Sequence, residues 1–160
     1  TMEGSRPMLV DLQALVAPSY YTSPRRTVNG MDASRIMLLL AVMEKRAGTR
    51  LYNQDVYINV AGGLSLSEPA ADLAVCMAVA SSARDSILPA DTCVMGEVGL
   101  AGEIRAISHL DRRIAEAQRL GFTRIICPRD SVRKLRTPDG VQLMPVDTVA
   151  QALAVAGIRP

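Results

Sequence analysis

The sequence predicts a mixed α/β fold in which strands and helices alternate along the chain. Short apolar segments rich in β-branched residues recur between turns that contain glycine, proline or asparagine. Segments with apolar residues at helical spacing separate them. A glycine-containing turn over 99–102 joins two of the apolar segments, which predicts an antiparallel hairpin. The 160 residues fit one domain, 1–160, and the composition, 49% hydrophobic and 21% charged, excludes intrinsic disorder.

The predicted elements follow one another along the whole chain. Strands are expected over these segments: 8–16, 25–30, 55–61, 92–98, 103–107, 123–127 and 141–146. Helices are expected over these: 33–47, 69–84, 110–120 and 147–156. A basic loop or short helix is expected over 129–136. Side chains that commonly cap helices stand at or near the starts of these helices, at Asp32, Ser67, Ser108 and Asp147.

The helix predicted over 69–84 differs from the others in composition. Its residues are small and apolar on nearly every side, and Pro69 lies in its first turn, where proline is tolerated. A helix without a polar face is normally surrounded by other elements. We therefore expect this helix to be the buried centre of the domain.

The cysteines and the lengths of the apolar runs bear on the redox compartment, on metal binding and on membrane insertion. Cys76, Cys93 and Cys127 are far apart, form no CxxC pair and lie in apolar segments. They are interpreted as buried thiols of a reduced, cytoplasmic protein, and no metal site is expected in this chain. The sequence has no apolar run of about 18 residues and hence no predicted membrane span. Because the chain begins with Thr1, we expect it to be a fragment of a longer protein.

Aromatic residues are rare. The chain has four Tyr, one Phe and no Trp. Proteins that bind single strands by stacking bases on aromatic side chains need several exposed rings. Composition therefore predicts that this chain has no such stacking surface.

Basic residues are grouped along the sequence, although the net charge is only +2. All but two of the 18 basic residues are arginine, whose guanidinium suits phosphates and carboxylates. The groups singled out as candidate DNA contacts are Arg25, Arg26, Arg112, Arg113, Arg133, Lys134 and Arg136. A polyanion contact is one interpretation of these groups, and a solvated surface is the other.

Known catalytic motifs are missing from the sequence. Gly96, Gly99 and Gly102 form GxxGxxG, which is neither a P-loop nor a dinucleotide-binding motif. His109 is the only histidine, and no Gly-x-Ser-x-Gly segment exists to accompany it in a triad. A Ser-Lys dyad would have to use Lys45 or Lys134, and both lie in charged clusters where a lysine stays protonated.

Long segments of the sequence resemble the proteolytic domain of Lon proteases. They read GGLSLSEPAADLAVCMAVASS, LPADTCVMGEVGLAGEIRAISHLDRRIAEAQRLGF and TRIICPRD. They are still more similar to the Lon-like C-terminal domain of the RadA (Sms) family of bacterial DNA-repair proteins. The opening TMEGSRPMLVDLQALV and the segment SPRRTVNGMDASRIMLLLAVMEKR share that resemblance, which covers nearly all of 1–156. The resemblance implies the Lon-protease or ribosomal-protein-S5-domain-2-like fold.

The departures from the Lon pattern fall on the catalytic residues. Lon proteases open the central helix with Gly-Pro-Ser-Ala-Gly, and the matching residues here are 68–72, Glu-Pro-Ala-Ala-Asp. The nucleophile position is therefore Ala70, and the position of the dyad lysine falls on Arg113. A methyl group cannot attack a carbonyl, and arginine stays protonated in proteins. The resemblance implies a pseudo-protease with no catalytic residues.

The resemblance also implies partners and a larger context. RadA-like proteins combine a zinc finger, a RecA-like ATPase core and this domain, and they process branched recombination intermediates by ATP-driven branch migration. ATP, Mg and Zn then belong to parts absent from this chain, which itself needs no cofactor. The implied partners are DNA, single-stranded or branched, and further copies of the chain in a hexameric ring.

Two alternatives remain open at this stage. One is an active peptidase in which Ser65 or Ser67 meets Lys45 or Lys134. The other is an oligomerisation scaffold that does not contact DNA.

Overall fold

The structure, a computed structural model, describes residues 1–133 and 135–158. Its α-helices are α1 (Ala33–Ala47), α2 (Asp72–Ala83), α3 (Leu110–Arg119), α4 (Arg129–Val132) and α5 (Val149–Val155). Its first five strands are β1 (Met2–Glu3), β2 (Arg6–Pro7), β3 (Leu12–Pro18), β4 (Arg26–Asn29) and β5 (Gln54–Val60). The others are β6 (Thr92–Val94), β7 (Glu97–Val98), β8 (Ile104–Arg105), β9 (Arg124–Pro128) and β10 (Gln142–Val146). The predicted mixture of strands and helices is confirmed.

One three-stranded sheet has the order β3-β5-β4, and we call it sheet 1. Strand β5 runs antiparallel to β3 and parallel to β4. One end of sheet 1 is therefore formed by Pro18, Arg26 and Gln54, and the other by the ends of the same strands near Leu12 and Val60. Seven residues of extended strand separate the two ends by about 20 Å. Strand β3 starts at Leu12, four residues later than predicted, because residues 8–11 form no ladder.

A second three-stranded sheet is parallel and has the order β10-β9-β6. The strand predicted over 92–98 is in fact two strands: β6 joins this sheet, whereas β7 pairs with β8. Between them lies Gly96, where a Cβ would be 2.9 Å from Ile104 Cγ2 and 3.3 Å from Leu73 Cδ2. Gly96 thus lets the backbone approach the start of α2. The predicted hairpin is confirmed in the shorter form β7–β8.

Helix α2 is the buried centre of the domain, as predicted. Seven of its twelve residues are buried, and it packs against β3, α1 and α5. Its start differs from the prediction, because a 3-10 turn over Pro69–Ala71 precedes it and Ser67 makes no capping hydrogen bond. Small residues at Ala80 and Cys76 allow this close packing on several sides.

The other predicted caps have mixed outcomes. Asp32 caps α1, where its Oδ1 accepts the Arg35 backbone N–H at 2.7 Å. Asp147 does not cap α5, because Thr148 Oγ1 accepts the Gln151 N–H at 3.2 Å. Ser108 does not cap α3, which instead follows His109 in a left-handed conformation with φ of 55°.

Cys76 and Cys127 are buried and Cys93 is partly buried, and all three are free. Burial raises the pKa of the Cys76 and Cys127 thiols to about 12.

Within 1–133 and 135–158, no three His, Cys, Asp or Glu side chains are grouped to hold a metal ion. Among these residues no helix has the length and apolar character needed to cross a membrane.

Candidate functional site

Ala70 lies where the 3-10 turn leads into α2, at the Leu12–Val60 end of sheet 1. Pro69 fixes the backbone at the first position of this turn. The Ala70 carbonyl accepts the Gly96 N–H at 2.8 Å, and the Gly96 carbonyl accepts the Leu73 N–H at 3.0 Å. These two bonds attach the start of α2 to the break between β6 and β7. They hold a buried methyl group at the position where a nucleophile is expected in this pattern.

Arg113, at the position of the dyad lysine, is buried in α3 and is 5% exposed. Its Nη1 donates to Glu68 Oε2 at 3.1 Å and its Nη2 donates to Glu68 Oε1. Its Nε donates to the Ser108 carbonyl at 2.8 Å. The expectation that Arg113 faces outward toward DNA is therefore wrong, because its guanidinium is bound inside the domain.

Glu68 receives donors from three directions. Besides Arg113, the Met2 N–H and the Thr1 hydroxyl each donate to its Oε2 at 2.9 Å. Burial alone would raise the pKa of this carboxyl, but the hydrogen bonds from Arg113, Met2 and Thr1 outweigh it and lower the pKa to about 2. Glu68 is therefore a fixed anion that joins α3 to the first residues of the chain.

Asp72 holds a second ion pair next to Ala70. Its side chain is 1% exposed and is bound by Arg35, whose Nε donates to Oδ1 at 3.1 Å and whose Nη2 donates to Oδ2. The Val98 N–H also donates to Oδ2, at 3.1 Å. The Arg35 Nη2 reaches the Val98 carbonyl at 3.0 Å. This pair connects α1, α2 and the β7–β8 hairpin.

Residues from the first ten positions cover Ala70 from outside. Together with α2, β6 and α3 they line a pocket of about 80 Å³. Its lining is mostly apolar and includes Leu9, Ala74, Cys93 and Met95, with Arg113 at its polar edge. Ala74 is accordingly only partly buried. Ala70 is only 6% exposed, so its side chain offers little accessible surface to a peptide.

Ser65 and Ser67, which precede α2, do not form a dyad with Lys45. Leu66, between Ser65 and Ser67, bridges to Met31 beside the start of α1. Lys45 lies in the last turn of the same helix. Twelve residues of helix separate these points by about 18 Å. The other proposed lysine, Lys134, lies outside the described residues.

Among the described residues, the arginines proposed as DNA contacts differ in exposure and in hydrogen bonding. Arg25 is exposed, with its guanidinium over the Tyr21 ring at 3.9 Å from the centroid. Arg26 is partly buried, and its Nη2 donates to the Leu51 carbonyl at 2.8 Å while its Nη1 donates to the Gln54 carbonyl. Arg26 therefore ties the start of β4 to the segment 51–54, and its neighbour Arg25 faces solvent.

The remaining candidates lie elsewhere on the surface. Arg112 is exposed and its Nη1 lies 3.4 Å from the Ser5 carbonyl. Arg133 is exposed and pairs with Asp130 at 3.0 Å. Arg136 is exposed, and Lys134 is outside the described part of the chain. For these residues DNA contact stays a prediction.

Sequence reasoning overlooked the partners that fix the two dyad positions. Glu68 and Asp72 were compared with the Lon pattern only as replacements for glycine. Their pairing with Arg113 and Arg35 joins residues 45 and 37 positions apart. A signal was present: Glu68 and Asp72 bring two carboxylates into a segment expected to be uncharged, and carboxylates in an apolar surrounding need cationic partners.

Comparisons with known proteins agree with this geometry. The family model of the Lon protease (S16) C-terminal proteolytic domain matches residues 35–158. The chain is 47% identical over 153 residues to the DNA repair protein RadA of Bacillus subtilis, which covers 96% of the chain and 33% of that protein. It is 47% identical over 155 residues to RadA of Halalkalibacterium halodurans and 45% identical over 156 residues to RadA of Listeria monocytogenes, covering 97% and 98% of the chain.

The chain spans about a third of the length of these relatives, 34% in the last two. The family match covers most of its described residues, from α1 to the segment that follows α5. The chain belongs to the family of Lon protease (S16) C-terminal proteolytic domains.

Proposed function

We propose that this chain is a non-proteolytic Lon-like module of a RadA-type DNA-repair protein, supporting ring assembly and contacting DNA. The observation that carries the proposal is the state of the two dyad positions. Ala70 offers a buried methyl group, and Arg113 is bound by Glu68. Neither group can take a proton from a nucleophile or attack a carbonyl carbon. The residues that replace the dyad stabilise the domain instead.

The larger protein, in this proposal, carries a zinc finger and a RecA-like ATPase core. Zn, ATP and Mg belong to those parts, and this chain needs no cofactor of its own. The whole would be a cytoplasmic, DNA-dependent ATPase in DNA recombination that moves the branch points of recombination intermediates. Similarity to proteins named DNA repair protein RadA supports this context. The hexameric ring and the ribosomal-protein-S5-domain-2-like fold rest on the same family resemblance.

An active peptidase is the first alternative. Its support has weakened, because Ser65 and Ser67 lie near the start of α1 and Lys45 lies near its end. We expect the purified chain to leave fluorescently labelled unfolded casein intact. Ala70→Ser with Arg113→Lys should also be inactive, because Asp72 and the covering residues 7–10 remain in place. Casein hydrolysis that disappears on changing Ser65 or Ser67 to Ala would contradict the proposal.

A scaffold without DNA contact is the second alternative. Exposed arginines without a carboxylate partner among the described residues, such as Arg25 and Arg136, favour DNA contact over it. We expect weak, sequence-independent binding to DNA that falls with salt. Changing Arg25 and Arg136 to Gln should reduce the slope of log K against log salt by roughly 1 to 2.

A matched control is available for this measurement. Arg105 is exposed but paired with Glu97 and Glu103, at 3.5 and 2.8 Å. Arg105→Gln should leave the salt slope unchanged. If the parent itself does not bind DNA at low salt, the scaffold alternative is correct. If the Arg25 and Arg136 variant binds DNA like the parent, with the same slope, these two arginines do not contact DNA. Sedimentation of both variants would show whether assembly is retained.

A further inference from the structure

We propose that the Pro18–Gln54 end of sheet 1 binds single-stranded DNA by stacking unpaired bases on exposed tyrosines. This inference rests on the proposed DNA contact and adds its place and its mode. The surface consists of residues 19–26 and 50–54, and we call it the tyrosine end. It differs from the expectation from composition that the chain has no stacking surface.

The backbone brings the tyrosines together. The ladder between β3 and β5 pairs Pro18 with Gln54, and beyond it the Ser19 N–H donates to the Asn53 carbonyl at 2.9 Å. Tyr20 follows Ser19 directly, and Tyr52 precedes Asn53 in the turn closed by the Gln54 N–H and the Leu51 carbonyl at 3.1 Å. The two tyrosines thus lie next to the two residues that the hydrogen bond between Ser19 and Asn53 joins. Two rings from different loops therefore share one surface.

The rings are open to solvent to an unusual degree. Tyr20 is 94% exposed, Tyr52 is 72% exposed and Tyr21 is 54% exposed. These are three of the four tyrosines in the chain. The fourth, Tyr57, is partly buried within β5. Large exposed aromatic groups gathered at one place are typical of interaction sites rather than of ordinary surface.

Arginines lie in the same two segments as these rings. Arg25 lies over Tyr21 at 3.9 Å from the ring centroid, and Arg50 is exposed two residues before Tyr52. Arg26 ties the start of β4 to the segment 51–54 through its bonds to the Leu51 and Gln54 carbonyls. The turn that carries Tyr52 is therefore held before any ligand binds, which reduces the ordering that binding requires.

Carboxylates at this end are already engaged by the backbone. Asp55 accepts the Arg25 N–H at 2.7 Å and is buried, and Glu44 accepts the Leu51 N–H at 2.9 Å. Within the described residues, neither Arg25 nor Arg50 pairs with a carboxylate. The guanidinium groups are thus available for phosphates.

Aromatic rings combined with unpaired guanidinium groups fit a single strand best. Bases in a duplex present only their edges, whereas unpaired bases present π faces on which tyrosine can stack. The phosphates between the bases match the arginines. A single strand therefore supplies flat rings and negative charges in regular alternation, which this surface can match.

Tyrosine emission gives a direct readout, because the chain has four Tyr and no Trp. The full chain would be titrated with an oligothymidylate of about 12 nucleotides while tyrosine fluorescence and the anisotropy of a dye on the DNA are followed. We expect quenching of the tyrosine emission in parallel with the rise in anisotropy. A duplex of the same length should give less quenching.

Substitutions locate the effect. Tyr20→Ala with Tyr52→Ala should weaken binding of the single strand by roughly 5-fold to 100-fold, the effect of losing one or two stacking contacts. Tyr20→Phe with Tyr52→Phe keeps both rings and should bind like the parent. Leu100→Ala removes an exposed apolar side chain from the turn between β7 and β8 and serves as a control.

The outcomes separate this inference from the proposed function. If the parent chain binds DNA but the double alanine variant binds the single strand equally well, the tyrosine end is wrong and DNA contact stands. Loss of assembly in that variant, with unchanged DNA binding, would assign the surface to a second copy of the chain and also overturn the inference. If the parent binds neither single strand nor duplex, both proposals fail.

Discussion

The two ends of sheet 1 differ in the exposure of their charged and aromatic side chains. At the end that contains Ala70, Arg113 and Arg35 are turned inward and bound by Glu68 and Asp72. At the tyrosine end, about 20 Å away, Arg25 and three tyrosines face solvent. The end that corresponds to the catalytic site of a Lon protease is thus closed by ion pairs, and the opposite end is open.

This contrast teaches that the number of arginines near a site says little about its function. What matters is whether a carboxylate neutralises each guanidinium. Arg113 and Arg25 are each adjacent to another arginine in sequence, yet one is buried in an ion pair and the other lies over an exposed ring. A buried arginine with a fixed partner stabilises the fold, and an exposed one remains available for an external anion.

The largest expected effect comes from removing Arg35. Arg35→Met leaves the 1% exposed Asp72 carboxylate without its cation, which should reduce the free energy of unfolding by roughly 3–5 kcal/mol. Urea denaturation measures this difference. Arg105→Met, at an exposed pair, should change it by less than about 1 kcal/mol.

Changing Asp72 gives a second test of the same ion pair. Adding Asp72→Leu to Arg35→Met removes the stranded charge and should recover part of the lost stability. If Arg35→Met unfolds at the same urea concentration as the parent, the ion pair beside Ala70 does not hold α1, α2 and the hairpin together.

A smaller and pH-dependent effect is expected at Glu68. The folded carboxyl has a pKa of about 2, below the ordinary value of 4.5, so its stabilising contribution is present above pH 4.5 and is lost as the pH falls toward 2. Glu68→Gln should therefore be less stable than the parent at pH 6, by about 1–3 kcal/mol. Thermal denaturation at pH 6 and near pH 2.5 would show the difference shrink at the lower pH. An equal difference at both values would mean that the Glu68 charge does not bind Arg113.

The smallest expected effect on stability lies at the tyrosine end. Tyr20→Ala and Tyr52→Ala remove side chains that are mostly exposed, so each should change the free energy of unfolding by no more than about 0.5 kcal/mol. Urea denaturation of the two variants beside Leu100→Ala checks this. A loss of several kcal/mol in the free energy of unfolding would show that these rings stabilise the loops and are not free to bind a ligand.

Much of the fold followed from local sequence. The Asp32 cap, Gly48 after α1 and the apolar composition of α2 each act within a few residues, so the sequence predicted these helices well. The split of 92–98 into two strands occurs at Gly96, which lies close to Leu73 and Ile104, and no local pattern shows these long-range contacts.

The candidate site was predictable only in part. Alignment with the Lon pattern located Ala70 and Arg113, because both lie in segments that keep their order. The outward orientation assigned to Arg113 was wrong, since its direction is set by Glu68, 45 residues earlier. The proposed tyrosine end has no signal in composition, because a count of aromatic residues does not show where they lie. The hydrogen bond between Ser19 and Asn53 brings the segments of Tyr20 and Tyr52 to the same end of sheet 1.

One measurement compares the two ends directly. Amide chemical shifts of ¹⁵N-labelled chain, followed by NMR during titration with a short oligothymidylate, report contact residue by residue. The account predicts that residues 19–26 and 50–54 shift, whereas residues 68–72 and Arg113 do not. Shifts concentrated at 68–72 and Arg113, with the tyrosine end unchanged, would contradict it.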